Sequence, residues 1–252
     1  MFLIAPVLVL SGCGGGGGDG PTQNASPEGL YVGTATRSIT TNSPVIDVTN
    51  DLHLLVLAGG QYWAVTSFNT SGVYFPGGFV TGQLTSNGNS LSANATDYTF
   101  AAPPTGTLTG AYVANSTFNG NITDSVGSIT LATTAIPPSQ YTYAQAASLA
   151  VVSGAWNFRD RLFNPGSFNI SATGDLTGSA AGCDLTGTLT PHPNGRNVLV
   201  SQITFGPAPC STPGLTVSGI AFTYLLASGS RQLAVTGVSA SRTFAASWLA
   251  VR

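Results

Sequence analysis

Short segments in which apolar residues alternate with Ser and Thr recur from Leu30 to Val251, and Gly or Asn-Gly breaks separate them. Alternation with a period of two gives a strand one apolar face and one polar face, which is typical of antiparallel sheets. Residues 52–57 and 62–65 form one such pair around the turn at Gly59-Gly60, and Asn87-Gly88 is the dipeptide that favours a type I′ hairpin turn. We therefore predict an all-β chain of antiparallel barrels or sandwiches.

The two halves of the chain resemble each other. Residues 79–100 align with residues 184–205, because both contain Thr-Gly-x-Leu-Thr, then a turn with Gly and Asn, then a strand that ends in Thr-Phe. Each half also opens with a Gly followed closely by a large aromatic residue, Tyr31 in the first half and Trp156 in the second. We interpret the pattern as an internal repeat and expect each aromatic residue to plug one end of a small barrel.

A break in the strand pattern separates the halves. Pro137-Pro138 ends a strand there, because neither proline can donate a hydrogen bond to a sheet. The alanine-rich residues 143–152 that follow favour a helix. We predict a first β lobe at residues 28–138 and a second β lobe at residues 139–252, with one short helix at the junction.

The composition excludes some classes of protein. Only 6% of the residues are charged and the formal net charge is −2, whereas about 25% of an ordinary soluble domain is charged. The seven basic residues are all Arg and are scattered along the chain, which argues against a nucleic-acid-binding surface. Hydrophobic residues make up 42% of the chain, enough to build buried cores.

An apolar run at residues 2–10 precedes Ser11, Gly12 and Cys13. This run is much shorter than the roughly 20 residues that a membrane-spanning helix needs, and it fits the apolar region of a secretory signal. Five consecutive glycines, residues 14–18, follow Cys13, and such a composition is typical of a flexible linker.

The tetrapeptide Leu10-Ser11-Gly12-Cys13 resembles the lipobox of bacterial lipoproteins. The resemblance implies that residues 1–12 are removed as a signal peptide, that Cys13 is acylated, and that residues 13–27 tether the body to a membrane. Gly rather than Asp after the acylated Cys implies, in that family, delivery to the outer membrane. The protein would then face either the periplasm or the cell exterior.

The tether and strand pattern together also resemble surface lipoproteins built from small eight-stranded β-barrels, such as the transferrin-binding and factor-H-binding lipoproteins. None of the binding motifs of those families matches this sequence residue by residue, so the resemblance implies no particular partner.

Two further cysteines, Cys183 and Cys210, enclose 26 residues. Two cysteines in an exported chain usually pair, and closing a loop of this length stabilises a fold by roughly 3 kcal/mol in the chain-entropy interpretation. Metal binding would need more ligands, and the only histidines are His53 and His192. We predict a disulfide and no metal or other cofactor.

The polar residues do not form a recognisable catalytic motif. His53 alternates within an apolar strand and His192 lies between two prolines, and the chain contains neither Lys nor a Gly-x-Ser-x-Gly turn. Asp160 lies between two arginines and is expected to make exposed ion pairs. Asp175 and Asp184 both precede Leu-Thr-Gly, and we interpret them as residues that enter consecutive strands rather than as a paired acid site.

Five aromatic residues are candidates for a ligand-binding surface: Tyr62, Trp63, Tyr74, Phe75 and Phe79. Adjacent residues of a strand point to opposite faces, so one of Tyr62 and Trp63 faces inward and the other outward. Packing in a core is the favoured interpretation for the group.

The sequence therefore predicts a non-enzymatic outer-membrane lipoprotein with a binding or envelope-structural role, held to the membrane through lipid on Cys13. One alternative is a carrier of a small apolar ligand, which requires inward positions too small to fill a barrel. A second is a hydrolase that acts on an envelope polymer. Besides the membrane, the predicted partner of the protein is another protein or a small apolar ligand, which the sequence does not identify, and not a nucleic acid.

Overall fold

The computed structural model describes residues 26–40, 45–70, 73–160 and 162–252. These residues form two closed eight-stranded antiparallel barrels in tandem, which confirms the predicted all-β class and its two lobes. The predicted signal peptide, Cys13 and the tether as far as Ala25 lie outside the described residues.

Barrel 1 is an up-and-down barrel in which each strand pairs with the next and β8 pairs with β1. Its strands are β1 Gly29–Ile39, β2 Ile46–Val56, β3 Gln61–Thr70, β4 Val73–Asn87, β5 Ser90–Asp97, β6 Thr105–Val113, β7 Thr117–Asp124 and β8 Gly127–Ala135. Because the strands alternate in direction, β1, β3, β5 and β7 all end at the same end of the barrel. We call this the open end, and the other the closed end.

Barrel 2 has the same order of pairing, with β16 closing against β9. Its strands are β9 Gly154–Arg159, β10 Pro165–Ile170, β11 Asp175–Ala180, β12 Cys183–Pro191, β13 Leu199–Phe205, β14 Thr216–Leu225, β15 Arg231–Ser239 and β16 Ala245–Val251. Cys183, which begins β12, forms a disulfide with Cys210 in the loop after β13, as predicted.

The helix at the junction is shorter than the alanine content suggested. The helix α1 covers only Leu149–Val152, rather than residues 143–152. The backbone before the helix forms hydrogen bonds with barrel 2 instead. The Ala147 N–H donates to the Arg196 carbonyl at 3.1 Å, and the Tyr143 carbonyl accepts from the Asn197 N–H at 3.1 Å. These bonds to the β12–β13 loop replace the helical bonds that the local sequence favours.

An aromatic residue is buried at the start of each barrel, as expected from the repeat. Tyr31 is 1% exposed and donates from its hydroxyl to the Pro27 carbonyl at 3.0 Å, and Trp156 is fully buried and donates from its ring N–H to the Val152 carbonyl at 2.7 Å. The glycine two residues before each has a positive φ, 146° at Gly29 and 111° at Gly154, a conformation that side-chain-bearing residues rarely adopt.

The two barrels pack wall to wall through a third apolar core. Outward residues of β2 and β3 meet outward residues of β14 and β15 there, among them Leu55, Trp63, Val65, Ile220, Phe222 and Ala234. Each of these side chains is at most 3% exposed. The barrels therefore form a single packed unit rather than two bodies joined only by a linker.

Candidate ligand-binding cavity in the first barrel

The lumen of barrel 1 is filled at its closed end. Tyr31, Tyr62, Tyr112 and Phe118 begin or end their strands there, and all four are buried. The rings of Tyr31 and Phe118 are 5.7 Å apart, and the Tyr62 hydroxyl donates to the Asn94 carbonyl at 3.1 Å. The large inward side chains leave little space in this half of the barrel.

Toward the open end, barrel 1 carries smaller groups around its lumen. Ala35, Ala64, Thr66 and Gly77 contribute to the wall of a cavity of about 280 Å³. The rest of the lining is mainly aliphatic and aromatic and includes Ile39, Leu52, Phe68, Phe100 and Leu131. A cavity with apolar walls and few polar groups is the usual form of a site for an apolar ligand.

Barrel 2 differs because its lumen is filled by large rings. Phe168 contacts Phe158 at 4.7 Å and Trp248 at 5.6 Å between ring centroids. Trp156 and Phe168 are at most 1% exposed. The two barrels share a topology, but the cavity of about 280 Å³ lies in barrel 1.

Arg37 crosses the lumen of barrel 1 and lines part of the cavity. It lies on β1, and its Nη2 donates to the carboxylate of Asp97 at the end of β5 and to that of Asp124 at the end of β7, the second at 3.1 Å. β5 is four strands away from β1 in either direction around the barrel. The guanidinium therefore joins opposite walls, and its Cζ lies 5.1 Å from the centre of the Phe100 ring.

Backbone groups hold the two carboxylates in place. The Thr99 N–H donates to Asp97 at 2.8 Å, and the N–H groups of Val126 and Gly127 donate to Asp124 at 2.8 and 3.0 Å. Burial by itself raises the pKa of Asp124, but the hydrogen bond from Arg37 and the backbone bonds outweigh it, so the pKa lies below its usual 3.8. With one cation between two carboxylates, the cluster is not a ready site for an anionic group.

Exposed apolar side chains surround the open end. The described residues include ten exposed large apolar side chains, and seven of them lie here. We call these seven the apolar rim: Val45, Ile46, Val48, Phe68, Val73, Leu162 and Phe163. The first five lie at the open ends of β2, β3 and β4, and the last two lie in the β9–β10 loop of barrel 2.

His53 lies at the contact between the barrels and not at the cavity. Its ring packs on Tyr224, with centroids 4.6 Å apart, and its Nδ1 has no hydrogen-bond partner among the described residues. Burial lowers the pKa of His53 to about 4. His192 lies in the turn after β12, where its Nδ1 accepts from the Asn194 N–H at 3.3 Å.

The expected ion pair between Asp160 and Arg159 does not form, whereas the expected pair with Arg161 stays a prediction because Arg161 lies outside the described residues. Its Oδ1 accepts from the N–H groups of Leu162 and Asn164 at 2.8 and 2.9 Å, while Arg159 donates to the Phe163 carbonyl at 2.9 Å. Asp160 and Arg159 thus both bind the loop backbone rather than each other, because the tight loop brings its own donors and acceptors closer.

The remaining candidates stay apart from the cavity. Asp175 and Asp184 are exposed residues that enter the consecutive strands β11 and β12. Tyr62, Trp63, Phe75 and Phe79 are buried, as core packing requires, whereas Tyr74 is half-buried and lines a groove between β4 and barrel 2.

The sequence reasoning did not single out Arg37, Asp97 or Asp124. A signal was present, because Arg37 shares the odd-numbered positions of β1 with Tyr31 and Ala35, which face inward. A charged residue at an inward position needs a buried partner. Which residues supply it depends on strands that are distant in sequence.

Among the described residues, no group of three or more His, Cys, Asp or Glu is placed to hold a metal ion. The described part of the chain also has no helix of the length and apolarity needed to cross a membrane.

No family model matches the sequence, and no curated protein matches it. Among solved structures, immune modulator A of Aeromonas veronii is similar at a TM-score of 0.39 and 13% identity, over 90% of this chain and 95% of that chain. Nothing about the function of this chain follows from that likeness.

Replacing Arg37 with Met is expected to destabilise the protein by about 3–5 kcal/mol at pH 7, because two carboxylates lose their cation in a buried place. The triple variant Arg37→Met, Asp97→Asn, Asp124→Asn is the control and should recover much of the loss. Since the pKa of Asp124 is lowered on folding, its stabilisation is present above about pH 4 and is lost as the pH falls through the folded-state pKa. Urea unfolding at pH 7 and pH 3 measures both effects, and equal stability of Arg37→Met and wild type at pH 7 would contradict them.

Replacing His53 with Leu is expected to flatten the pH dependence of stability between about pH 4 and 6.5. The folded state keeps His53 neutral down to about pH 4, so the unfolded state binds the proton first and stability falls by about 3 kcal/mol across this window as the pH drops. His192→Gln is the control and should keep the slope. Urea unfolding at several pH values measures it, and an unchanged slope in His53→Leu would show that another group is responsible.

Proposed function

We propose that this chain is an exported, lipid-anchored, non-catalytic binding protein that takes an apolar group into the open end of barrel 1. The apolar cavity at that end carries the proposal. The small groups at Ala35 and Ala64 meet the condition that a carrier requires, namely inward positions that do not fill the barrel. The cavity therefore favours the carrier over a purely structural role in the envelope.

The size of the cavity limits what it can hold. Its volume of about 280 Å³ lies at the lower limit of ordinary ligand sites, about 300–1,000 Å³, and is about twice that of an engineered cavity that holds benzene. A pair of fused rings, or one length of aliphatic chain, is the scale of group that fits. The negative excess of the cluster at Arg37, Asp97 and Asp124 favours a ligand whose buried part is uncharged.

The position of the residues that precede β1 is compatible with an anchor on Cys13. Ser26 and Pro27 precede β1 at the closed end, where the carbonyl of Pro27 accepts a hydrogen bond from the Tyr31 hydroxyl. A tether from Cys13 would thus join the barrel opposite the cavity mouth and leave the mouth free. The disulfide between Cys183 and Cys210 supports export, because disulfides persist mainly in oxidising compartments.

The cavity is tested with the fluorescent probe N-phenyl-1-naphthylamine, titrated in solution. Ala64→Leu places a larger side chain in the cavity wall and is expected to weaken probe binding by about tenfold or more, because the added groups occupy the space of the probe. Ala111→Leu makes the same change at an exposed position of β6 on the same barrel and should bind as the wild type does. Equal affinity of wild type and Ala64→Leu would contradict binding in this cavity.

The anchor is tested by replacing Cys13 with Ser in the full chain. The variant is expected to leave the membrane fraction and to lose the mass of the acyl groups, because a hydroxyl cannot form the thioether that carries the lipid. Fractionation and intact mass spectrometry measure the two effects. A variant that stays in the membrane fraction with residues 1–12 uncut would contradict lipid anchoring.

A further inference from the structure

Both barrels contribute residues to the apolar rim, and ring contacts through the buried Phe75 join the two contributions. Phe163 from the β9–β10 loop lies 4.4 Å from Phe75 of barrel 1, and Phe75 lies 6.3 Å from Phe68 between ring centroids. Phe68 lines the cavity and is also 38% exposed. A row of three rings thus leads from the loop of barrel 2 to the mouth of the cavity.

The β9–β10 loop is shaped to present apolar side chains to solvent. Leu162 is 79% exposed and Phe163 is 57% exposed. Phe163 has a positive φ of 68°, which is a strained conformation for a residue other than glycine. The bonds of Asp160 to the N–H groups of Leu162 and Asn164 hold the loop in this shape. Strain held in this way, at a point where apolar groups face water, indicates a contact surface.

Basic residues precede the apolar pair of this loop in the sequence. In the sequence, Arg159 and Arg161 flank Asp160 and precede Leu162 and Phe163. The carboxylate of Asp160 accepts hydrogen bonds from the N–H groups of the loop and keeps its charge, so the three residues 159–161 carry a net charge of +1. A small net positive charge next to a Leu-Phe pair in the sequence matches a phospholipid interface, where phosphates lie above the hydrocarbon and apolar side chains can enter it.

We propose that the apolar rim docks on a phospholipid bilayer and that the apolar group taken into barrel 1 is an acyl chain from that bilayer. The identity of the ligand rests on the function proposed above, whereas the docking rests on the rim itself. Leu162 and Phe163 enter the interface beside the cavity mouth, so that the acyl chain passes from hydrocarbon to cavity with little exposure to water.

A tether from Cys13 is long enough for this contact. Twelve residues lie between Cys13 and Ser26, and the thirteen steps from one to the other span at most about 45 Å when extended. The eleven residues of β1 span about 36 Å. The rim can therefore reach the membrane that holds the anchor even though the chain joins the barrel at the closed end. Anchoring would raise the effective concentration of the rim at that membrane.

The test uses residues 13–252 with Cys13→Ser, so that vesicle binding comes neither from the lipid nor from the apolar residues 2–10. Leu162→Trp is compared with Val113→Trp, which places the same probe at the closed end, where Val113 is 56% exposed. With vesicles of phosphatidylcholine and phosphatidylglycerol, the emission of Leu162→Trp is expected to shift to shorter wavelength and to be quenched by brominated acyl chains. The emission of Val113→Trp should not change. The native tryptophans Trp63, Trp156 and Trp248 are buried and give a common background.

A second pair of variants measures the affinity. Leu162→Ser with Phe163→Ser is expected to weaken vesicle binding by about tenfold or more, because two apolar side chains no longer leave water. Val113→Ser with Val200→Ser removes two exposed apolar side chains elsewhere and should leave binding unchanged. Thermal unfolding confirms that each variant is folded.

Two results would overturn the docking: no vesicle binding by the Cys13→Ser chain, or equal emission changes for Leu162→Trp and Val113→Trp. A rim that mediates self-association instead would appear as a dimer in sedimentation that Leu162→Ser with Phe163→Ser dissociates, without any vesicle effect. Probe binding in solution separates this inference from the proposed function. If the protein binds the probe but does not dock on vesicles, only the docking is overturned. If it docks on vesicles but does not bind the probe, the proposed binding of an acyl chain in barrel 1 is overturned.

Discussion

Both barrels depend on the backbone pairing of their first and last strands, because an open sheet of this kind would expose two hydrogen-bonding edges. In barrel 1 the seam is long and runs from Tyr31↔Ala135 to Ile39↔Gly127. In barrel 2 it is short, with Ala250↔Phe158 and Val251↔Asn157 as its pairs. Closure removes the edges that would otherwise pair with other chains.

The side chain of Arg252 extends the short seam of barrel 2. Its guanidinium donates to the carbonyls of Ser153 and Val151, the second at 2.6 Å, and lies 4.3 Å from the centre of the Trp156 ring. The residue after the last strand is thus bound to the residues just before the first. At this seam the contacts of the Arg252 side chain help to close the barrel, whereas in barrel 1 the backbone pairs of β1 and β8 close it.

Once the sheets are closed, the size of the inward side chains decides what each barrel can do. Trp156, Phe168 and Trp248 fill barrel 2, whereas Ala35 and Ala64 leave space in barrel 1. The Arg37 cluster spans the same end of barrel 1 and fixes opposite walls to each other. This ion-pair cluster is compatible with an apolar cavity because each carboxylate already has its hydrogen-bond donors. The packing of the two walls then places a loop of barrel 2 beside the mouth of barrel 1.

The sequence by itself determined the class of the fold, the tandem lobes, the aromatic plugs and the disulfide. These follow from local pattern: alternation of period two, glycines that adopt positive φ before Tyr31 and Trp156, and two cysteines in a chain that the sequence predicts to be exported. Only the tertiary structure decided which lumen retains a cavity, because lumen volume is a sum over strands distant in sequence. The partners of Arg37, the burial of His53 between barrels, and the joining of Phe163 to Phe68 through Phe75 depend on such distances as well. The helix at residues 143–152 is the converse case, in which bonds to the distant Arg196 and Asn197 overrode a local preference.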